Sequence, residues 1–173
     1  MLIRRVGIFL AVATLITVLD LVTKAWADAR LKPDDSTITC VGGYLDFKYN
    51  TNTGAAFGLL SDSKWGPTVL TLVSVAAGGF LVYLAFHIDE RPVLMPISLG
   101  LVLGGVLGNL HDRIFNDGKV RDFIDAHVGN SHWPLFNIAD SGITVGVILL
   151  VILSFFPGKK YASKKKQARP ASA

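Results

Sequence analysis

Two aspartates, Asp122 and Asp140, have the type and the setting that suit chemistry best. Both lie in the polar segment 118–140, which connects two long apolar runs, so both carboxylates are expected near one boundary of a membrane. A carboxylate costs about 2.5–3.5 kcal/mol at the centre of a membrane helix and less near its end, and such a cost usually marks function. Two carboxylates sharing one proton can act as base toward a water and as acid toward a substrate, as in aspartic proteases. The alternative is two surface acids, each paired with an arginine.

The composition is that of a polytopic membrane protein. Of the 173 residues, 51% are hydrophobic and only 17% are charged, whereas soluble domains carry about a quarter charged residues. Such a chain has room for one membrane domain, residues 1–156, followed by a basic, disordered tail, residues 157–173. The net charge of +4 comes largely from that tail and does not indicate nucleic-acid binding. Four apolar runs are long enough to cross a bilayer as helices: residues 6–26, 67–86, 93–110 and 138–156.

The first apolar run could also be a secretory signal peptide, because it has a basic start and an Ala27-Asp28-Ala29 site. Against this, Asp20 and Lys24 lie inside the run, spaced i, i+4 so that they can pair on one helical face. This spacing favours an uncleaved transmembrane helix.

Basic residues set the expected orientation. Arg4 and Arg5 precede the first run, and a cluster of lysines follows the fourth, so both termini are expected in the cytoplasm. The two polar connections, with Asp122 and Asp140, then face outward. Ionisable residues clustered at the outer helix ends fit a surface-level site better than a transport path, which would string charges along the spans.

The polar connections contain strand-like segments. Residues 37–41 and 44–49 are rich in β-branched and aromatic residues and flank Gly42-Gly43, which predicts a hairpin with a primed turn. Residues 120–128 and 132–136 could each add a short strand. The expected fold is therefore four transmembrane helices with a small extracytoplasmic β-sheet formed by the two outer loops.

Five stretches carry polar and small residues at set spacings, and they are Asp20-x-x-x-Lys24, Asn52-Thr-Gly-Ala-Ala-Phe57, Gly104-Gly-x-x-Gly-Asn109-x-x-Asp112-Arg113, Gly118-x-Val-x-Asp122-Phe123 and Phe136-Asn137-x-Ala139-Asp140. In these stretches, and in their order, the chain resembles the lipoprotein signal peptidases, signal peptidase II. The likeness extends over almost the whole chain outside the tail. His111 departs from it, since an apolar residue is expected there.

The resemblance implies a membrane aspartyl endopeptidase of the bacterial cytoplasmic membrane, with no metal and no organic cofactor. Its substrates would be prolipoproteins, cut just before a diacylglyceryl-modified cysteine, and membrane lipid would surround a protein that acts as a monomer. Asp122 and Asp140 correspond to the catalytic pair. The supporting and substrate-binding positions correspond to Asp20, Lys24, Asn52, Gly54, Asn109, Arg113, Asn137 and Ala139.

Other functions fit the residues less well. A metalloprotease lacks a His-Glu-x-x-His pattern, and His127 and His132 lie in a loop without a clear third ligand. A serine hydrolase lacks Gly-x-Ser-x-Gly. A transporter would usually show internal repeats, and none is visible. A scaffold without catalytic activity would leave the polar pattern of the two loops unexplained.

Overall fold

A computed structural model describes residues 2–33, 35–53, 64–87 and 92–155. In these ranges, four helices are long and apolar enough to cross a membrane, which confirms the predicted class. They are α1 (Leu2–Arg30), α2 (Gly66–Phe86), α3 (Leu94–Phe115) and α4 (Ile138–Phe155). Helix α3 continues past the predicted end at residue 110, because the polar residues of its last turns find buried partners. Gly54 and the tail, residues 157–173, lie outside the described residues.

Helix α3 packs between α1 and α4, and small residues permit the close approach. A Cβ atom at Gly104 would lie 2.7 Å from the Ala13 carbonyl oxygen and 2.7 Å from Ile16 Cβ, both on α1. At Gly105 it would meet the backbone of Ala139 on α4. The glycines of α3 therefore let both neighbouring helices approach its backbone, as small-residue spacing does in lipid.

Replacing Gly104 by Ala should destabilise the protein by about 1–3 kcal/mol, because the added methyl has no space against α1. Thermal unfolding in detergent would measure this loss. Gly79→Ala is the matched control, since a Cβ there meets nothing within 4 Å. A Gly104 variant as stable as the Gly79 variant would contradict the close packing.

The two polar connections form one antiparallel sheet in the order β1-β2-β3-β4, which confirms the predicted sheet. Its strands are β1 (Ile38–Val41), β2 (Leu45–Asn52), β3 (Val120–Val128) and β4 (Ser131–His132). The predicted primed turn is wrong: Gly43 has a positive φ of 77° and Gly42 does not, whereas primed turns need it at the first central residue. Strand β4 is shorter than predicted, and Phe136 forms only an isolated bridge with Ile124.

An aromatic cluster fixes the sheet to the end of α1. Phe123 of β3 is 2% exposed and packs with Ala27 and Leu31. The Trp26 ring lies edge-on to Phe47, with ring centroids 5.3 Å apart. Because neighbouring residues of a strand point to opposite faces, Asp122 lies on the other face of β3 from Phe123, where it meets Asn137 at the start of α4.

Candidate active site

Asn137 brings Asp122 and Asp140 together. Its amide Nδ2 donates to Asp122 Oδ1 at 2.7 Å. Asn137 is also the N-cap of α4: the Asp140 backbone N–H donates to Asn137 Oδ1 at 2.9 Å, and the Asn137 backbone N–H donates to Asp140 Oδ2 at 3.3 Å. This reciprocal pair has the geometry of a capping box, with Asp140 at the third helical position. The same asparagine therefore starts the helix and contacts both carboxylates.

Asn109 of α3 fixes the other oxygen of Asp140. Its Nδ2 donates to Asp140 Oδ1 at 2.8 Å. Its Oδ1 accepts from Lys24 Nζ at 2.9 Å and from Asn137 Nδ2 at 3.2 Å. These bonds fix the orientation of the Asn109 amide. With the bond from the Asn137 backbone N–H, Asp140 accepts hydrogen bonds on both of its oxygens.

Lys24 and Asp20 support this arrangement from α1. Both side chains are fully buried, and the predicted i, i+4 pair is formed with Lys24 Nζ 2.7 Å from Asp20 Oδ2. Lys24 Nζ also lies 3.2 Å from Asp112 Oδ2. Asp20 Oδ1 accepts from the Ala139 backbone N–H at 2.9 Å. Ala139 is itself fully buried, so its position contributes its backbone and its small size.

Burial raises the pKa of Asp122 to about 7, and the nearby charge of Asp140 adds to the rise. Hydrogen bonds from Asn137 and Asn52 and the charge of Lys24 oppose it. The Asp122 residue is only 4% exposed. A carboxyl in this setting keeps its proton near neutral pH, as a general acid must.

The raised pKa predicts how stability depends on pH. Since the folded protein holds the Asp122 proton more tightly than the unfolded chain does, its contribution to stability is full below about pH 4 and is lost as the pH rises toward about 7. Thermal unfolding should therefore show that the stability of Asp122→Asn minus that of the wild type increases as the pH rises from about 4 to about 7. A difference that stays constant with pH would contradict the raised pKa.

The structure places the remaining predicted residues as follows. Arg113 of α3 interacts electrostatically with both Asp140 and Asp122. Asn52, in β2, donates a side-chain hydrogen bond to Asp122. Gly54 falls outside the described residues. Every other supporting position lies in the hydrogen-bonded network around the two aspartates.

Three further residues join the network: Asp112, Arg121 and Asp28. Arg121 donates to both Asp112 oxygens, and Arg121 Nη1 donates to Asp28. Asp112 pairs with Arg121 and Lys24. The sequence carried a signal for the pairing of Asp112 with Arg121, because a buried carboxylate needs a cation and an arginine directly precedes Asp122.

A cavity of about 350 Å³ lies beside Arg113, between the start of α2 and the end of α3. Its lining combines threonine hydroxyls, apolar side chains, one arginine and one aspartate. The lining residues are Pro67, Thr68, Thr71, Leu72, Arg113, Asp117 and Gly118. In the described ranges, no group of three or more His, Cys, Asp or Glu side chains is arranged to hold a metal ion. His132 and His127 contact Asp125 and Asp46 on the sheet.

The chain is similar to known proteins over most of its length. Residues 12–156 match a family described as Signal peptidase (SPase) II. A lipoprotein signal peptidase of Francisella tularensis subsp. novicida (strain U112) is 41% identical over 157 residues, covering 88% of this chain and 94% of the relative. A lipoprotein signal peptidase of Aquifex aeolicus (strain VF5) is 36% identical over 153 residues, covering 88% and 89%.

Two solved structures have the same fold. One bacterial membrane enzyme, solved by the in meso method at 2.3 Å resolution, gives a TM-score of 0.72 at 28% identity and covers 96% of this chain and 94% of its own. Another, solved by the same method at 1.9 Å, gives 0.72 at 32% identity and covers 84% and 91%. The matched region of the family, residues 12–156, includes both aspartates.

Proposed function

Because this chain belongs to the signal peptidase II family, and is therefore a peptidase, we propose that it removes the signal peptide from bacterial prolipoproteins. The cut falls just before the diacylglyceryl-modified cysteine, and an aspartate pair activates the water. The observation that carries this proposal is the pair itself: two carboxylates held by one buried asparagine, with the pKa of Asp122 at about 7.

The pair hydrolyses the peptide bond by moving two protons. Asp122 and Asp140 hold one proton between them and position a water. As the water oxygen attacks the scissile carbonyl carbon, the ionised carboxylate takes a proton from the water and the other carboxyl donates to the carbonyl oxygen. The tetrahedral intermediate then collapses as the C–N bond breaks. The carboxyl that took the proton from water gives it to the leaving nitrogen, and the other carboxylate takes back the hydroxyl proton as the carbonyl re-forms, so the pair again holds one proton. Each such transfer is typically worth 10²–10⁴-fold in rate, as a rough guide.

Polar groups next to the pair bind the substrate backbone. Arg113 lies near both carboxylates and lines the cavity at the start of α2, so its guanidinium reaches the space that a bound peptide would occupy. The Asn52 amide bonds Asp122 and can turn a donor toward the same space. The lipid chains of the substrate need an apolar rim, and Trp65 and Trp133 are exposed candidates for it.

The active site faces the outside of the cytoplasmic membrane. Arg4 and Arg5 lie at the start of α1, whereas Asp20, Lys24 and the sheet lie toward its other end. Basic residues favour the cytoplasmic side. Both termini are then cytoplasmic, the sheet and the aspartates are extracytoplasmic, and a monomer surrounded by lipid contains the whole site.

The test is cleavage of a diacylglyceryl-modified prolipoprotein by the detergent-purified, full-length protein, with the cut located by mass spectrometry. We expect one cut, directly before the modified cysteine. The same prolipoprotein without the lipid is the matched control and should stay uncut at the same enzyme concentration. If the folded wild type cuts neither substrate, or cuts elsewhere, the proposed function is wrong and transport becomes the next activity to assay.

A further inference from the structure

Arg121 directly precedes Asp122 in β3, and its polar groups on both backbone and side chain are engaged. The backbone N–H donates to Asp112 Oδ2 at 2.9 Å, and the backbone carbonyl accepts from Asn137 Nδ2 at 3.1 Å. The guanidinium donates through Nε at 3.2 Å to both Asp112 oxygens and through Nη2 at 2.5 Å to Oδ1. Nη1 donates to Asp28 on α1.

These bonds fix strand β3 from the face opposite Asp122. Since side chains alternate along a strand, the Arg121 guanidinium lies on the face opposite Asp122. It joins β3 to α3 through the fully buried Asp112, and to α1 through the partly exposed Asp28. A planar guanidinium can bind two carboxylates at fixed angles, which a lysine cannot do. The strand therefore has little freedom to rotate at this position.

The same bonds connect Arg121 to both aspartates. Asn137 Nδ2, which donates to the Arg121 carbonyl, also donates to Asp122 Oδ1. Asp112, which accepts from Arg121, lies 3.2 Å from Lys24 Nζ. A rotated Arg121 peptide would lose the Asn137 bond, and an Asp112 without Arg121 would draw Lys24 away from Asn109.

We propose that Arg121 is a positioning residue, which holds Asp122 against Asn137 and keeps Lys24 available to the aspartate pair. This role rests on the proposed peptidase function. Arg121 acts without touching the substrate, because its guanidinium is occupied by Asp28 and Asp112 on the far side of the strand.

The inference predicts a loss of rate without a loss of binding. Arg121→Met should lower kcat by about ten- to a hundredfold and change KM by less than about twofold, since displaced supporting groups misplace a reactive group by fractions of an ångström. Lys119→Met is the matched control: it removes the same charge two residues away, from an exposed side chain, and should keep the wild-type kcat.

A pH profile separates positioning from a general structural defect. The charged groups that act on Asp122 are Asp140 on α4, Lys24 on α1 and Arg113 on α3. If Lys24 moves toward Asp112 in Arg121→Met, the pair holds its proton more tightly, and the alkaline limb of kcat/KM moves to higher pH. Arg121→Lys restores the charge, so the limb should return while kcat recovers only in part.

The experiment measures kcat, KM and the pH profile of wild type, Arg121→Met, Arg121→Lys, Asp28→Asn and Lys119→Met on the lipidated prolipoprotein. Asp28→Asn removes the charge of the outer anchor, whose oxygen can still accept from Tyr49, and should give a smaller fall in kcat in a protein that stays folded. An unchanged kcat and pH profile in Arg121→Met, or a raised KM with unchanged kcat, would overturn the inference. If Arg121→Met does not fold, an unchanged kcat in both Asp28→Asn and Arg121→Lys overturns it.

A measurement without substrate distinguishes this inference from the proposed function. The pH dependence of thermal unfolding reports the Asp122 proton whether or not the protein cuts lipoproteins. In Arg121→Met, or in Asp28→Asn to a smaller degree, the stability change attributed to Asp122 should move to higher pH. If the pH dependence of stability is the same in Arg121→Met as in the wild type, Arg121 is not a positioning residue. If this pH dependence shifts but the wild type cuts no lipoprotein, only the proposed peptidase function is wrong.

Discussion

Replacing either Asp122 or Asp140 by Asn lowers prolipoprotein cleavage by about 10³–10⁴-fold in our expectation, because the amide can neither take nor share the proton. Each single change removes nearly the whole effect, since residues that act as one unit are not additive. The size of the side chain is kept, and in Asp122→Asn the new amide oxygen can still accept from Asn137 Nδ2. The loss should therefore appear in kcat. Asp122→Asn should unfold no earlier than the wild type near pH 7, whereas Asp140→Asn should be less stable, because both oxygens of Asp140 accept hydrogen bonds and an amide has only one acceptor oxygen.

Asp125→Asn is the matched control for this result. Asp125 lies in the same strand, is 1% exposed, and accepts from Lys48 Nζ at 2.6 Å and His132 Nδ1 at 2.8 Å. It is three residues from Asp122, so it points to the opposite face of β3. Its replacement removes a buried carboxylate without touching the pair, and activity should stay within a few-fold of wild type.

Folded Asp122→Asn or Asp140→Asn proteins that still cut at a tenth of the wild-type rate would contradict the aspartate mechanism. A chelator added to the wild type would then test a metal-dependent peptidase. An Asp125→Asn protein as inactive as the other two would show that loss of any buried acid of β3 disables the enzyme.

Replacing Lys24 by Met should cost about 3–5 kcal/mol of stability, the usual result of leaving a buried charge without its partner. Lys24 is fully buried, with Asp20 Oδ2 at 2.7 Å and Asp112 Oδ2 at 3.2 Å. Arg121 still neutralises Asp112 in the variant, so the uncompensated charge is that of Asp20. Unfolding in detergent, followed by temperature or by denaturant, measures the loss.

The double variant Asp20→Asn with Lys24→Met identifies the cause. An asparagine at position 20 can still accept from the Ala139 backbone N–H, but it carries no charge. If the stranded charge is the main cost, the double variant is more stable than Lys24→Met alone by about 1–3 kcal/mol, a coupling typical of residues in contact. A double variant less stable than Lys24→Met would assign the loss to packing instead.

The helices, the two aspartates and the Asp20–Lys24 pair were predictable from local patterns, whereas the other supporting positions followed from the resemblance to signal peptidase II. Apolar runs indicate spans because the bilayer sets their length, and a carboxylate at the edge of such a run stands out by its cost. Asp20 and Lys24 could be paired because helical geometry relates residues four apart. Asn137 and Asp140 are three apart at a helix start, which is the spacing of a capping box.

What remained unpredicted depends on contacts between distant segments. Arg121 meets Asp28, 93 residues earlier in the chain, and the pairing depends on how β3 crosses the end of α1. The turn at Gly42-Gly43 was mispredicted because two glycines permit several turn types and the flanking register selects one.

The buried position of α3 bears on how the protein assembles. It is the least apolar of the four spans and the most enclosed, and it carries Asn109 and Asp112 into the bundle. Alone in lipid these side chains would be poorly solvated, whereas Lys24 on α1 gives both of them a partner. Since α1 is synthesised before α3, Lys24 is already in the bilayer when α3 is inserted. We therefore expect the association of α3 with α1 to be the late, costly step of biogenesis. The groups that hold Asp122 and Asp140 thus also favour retention of α3 in the membrane.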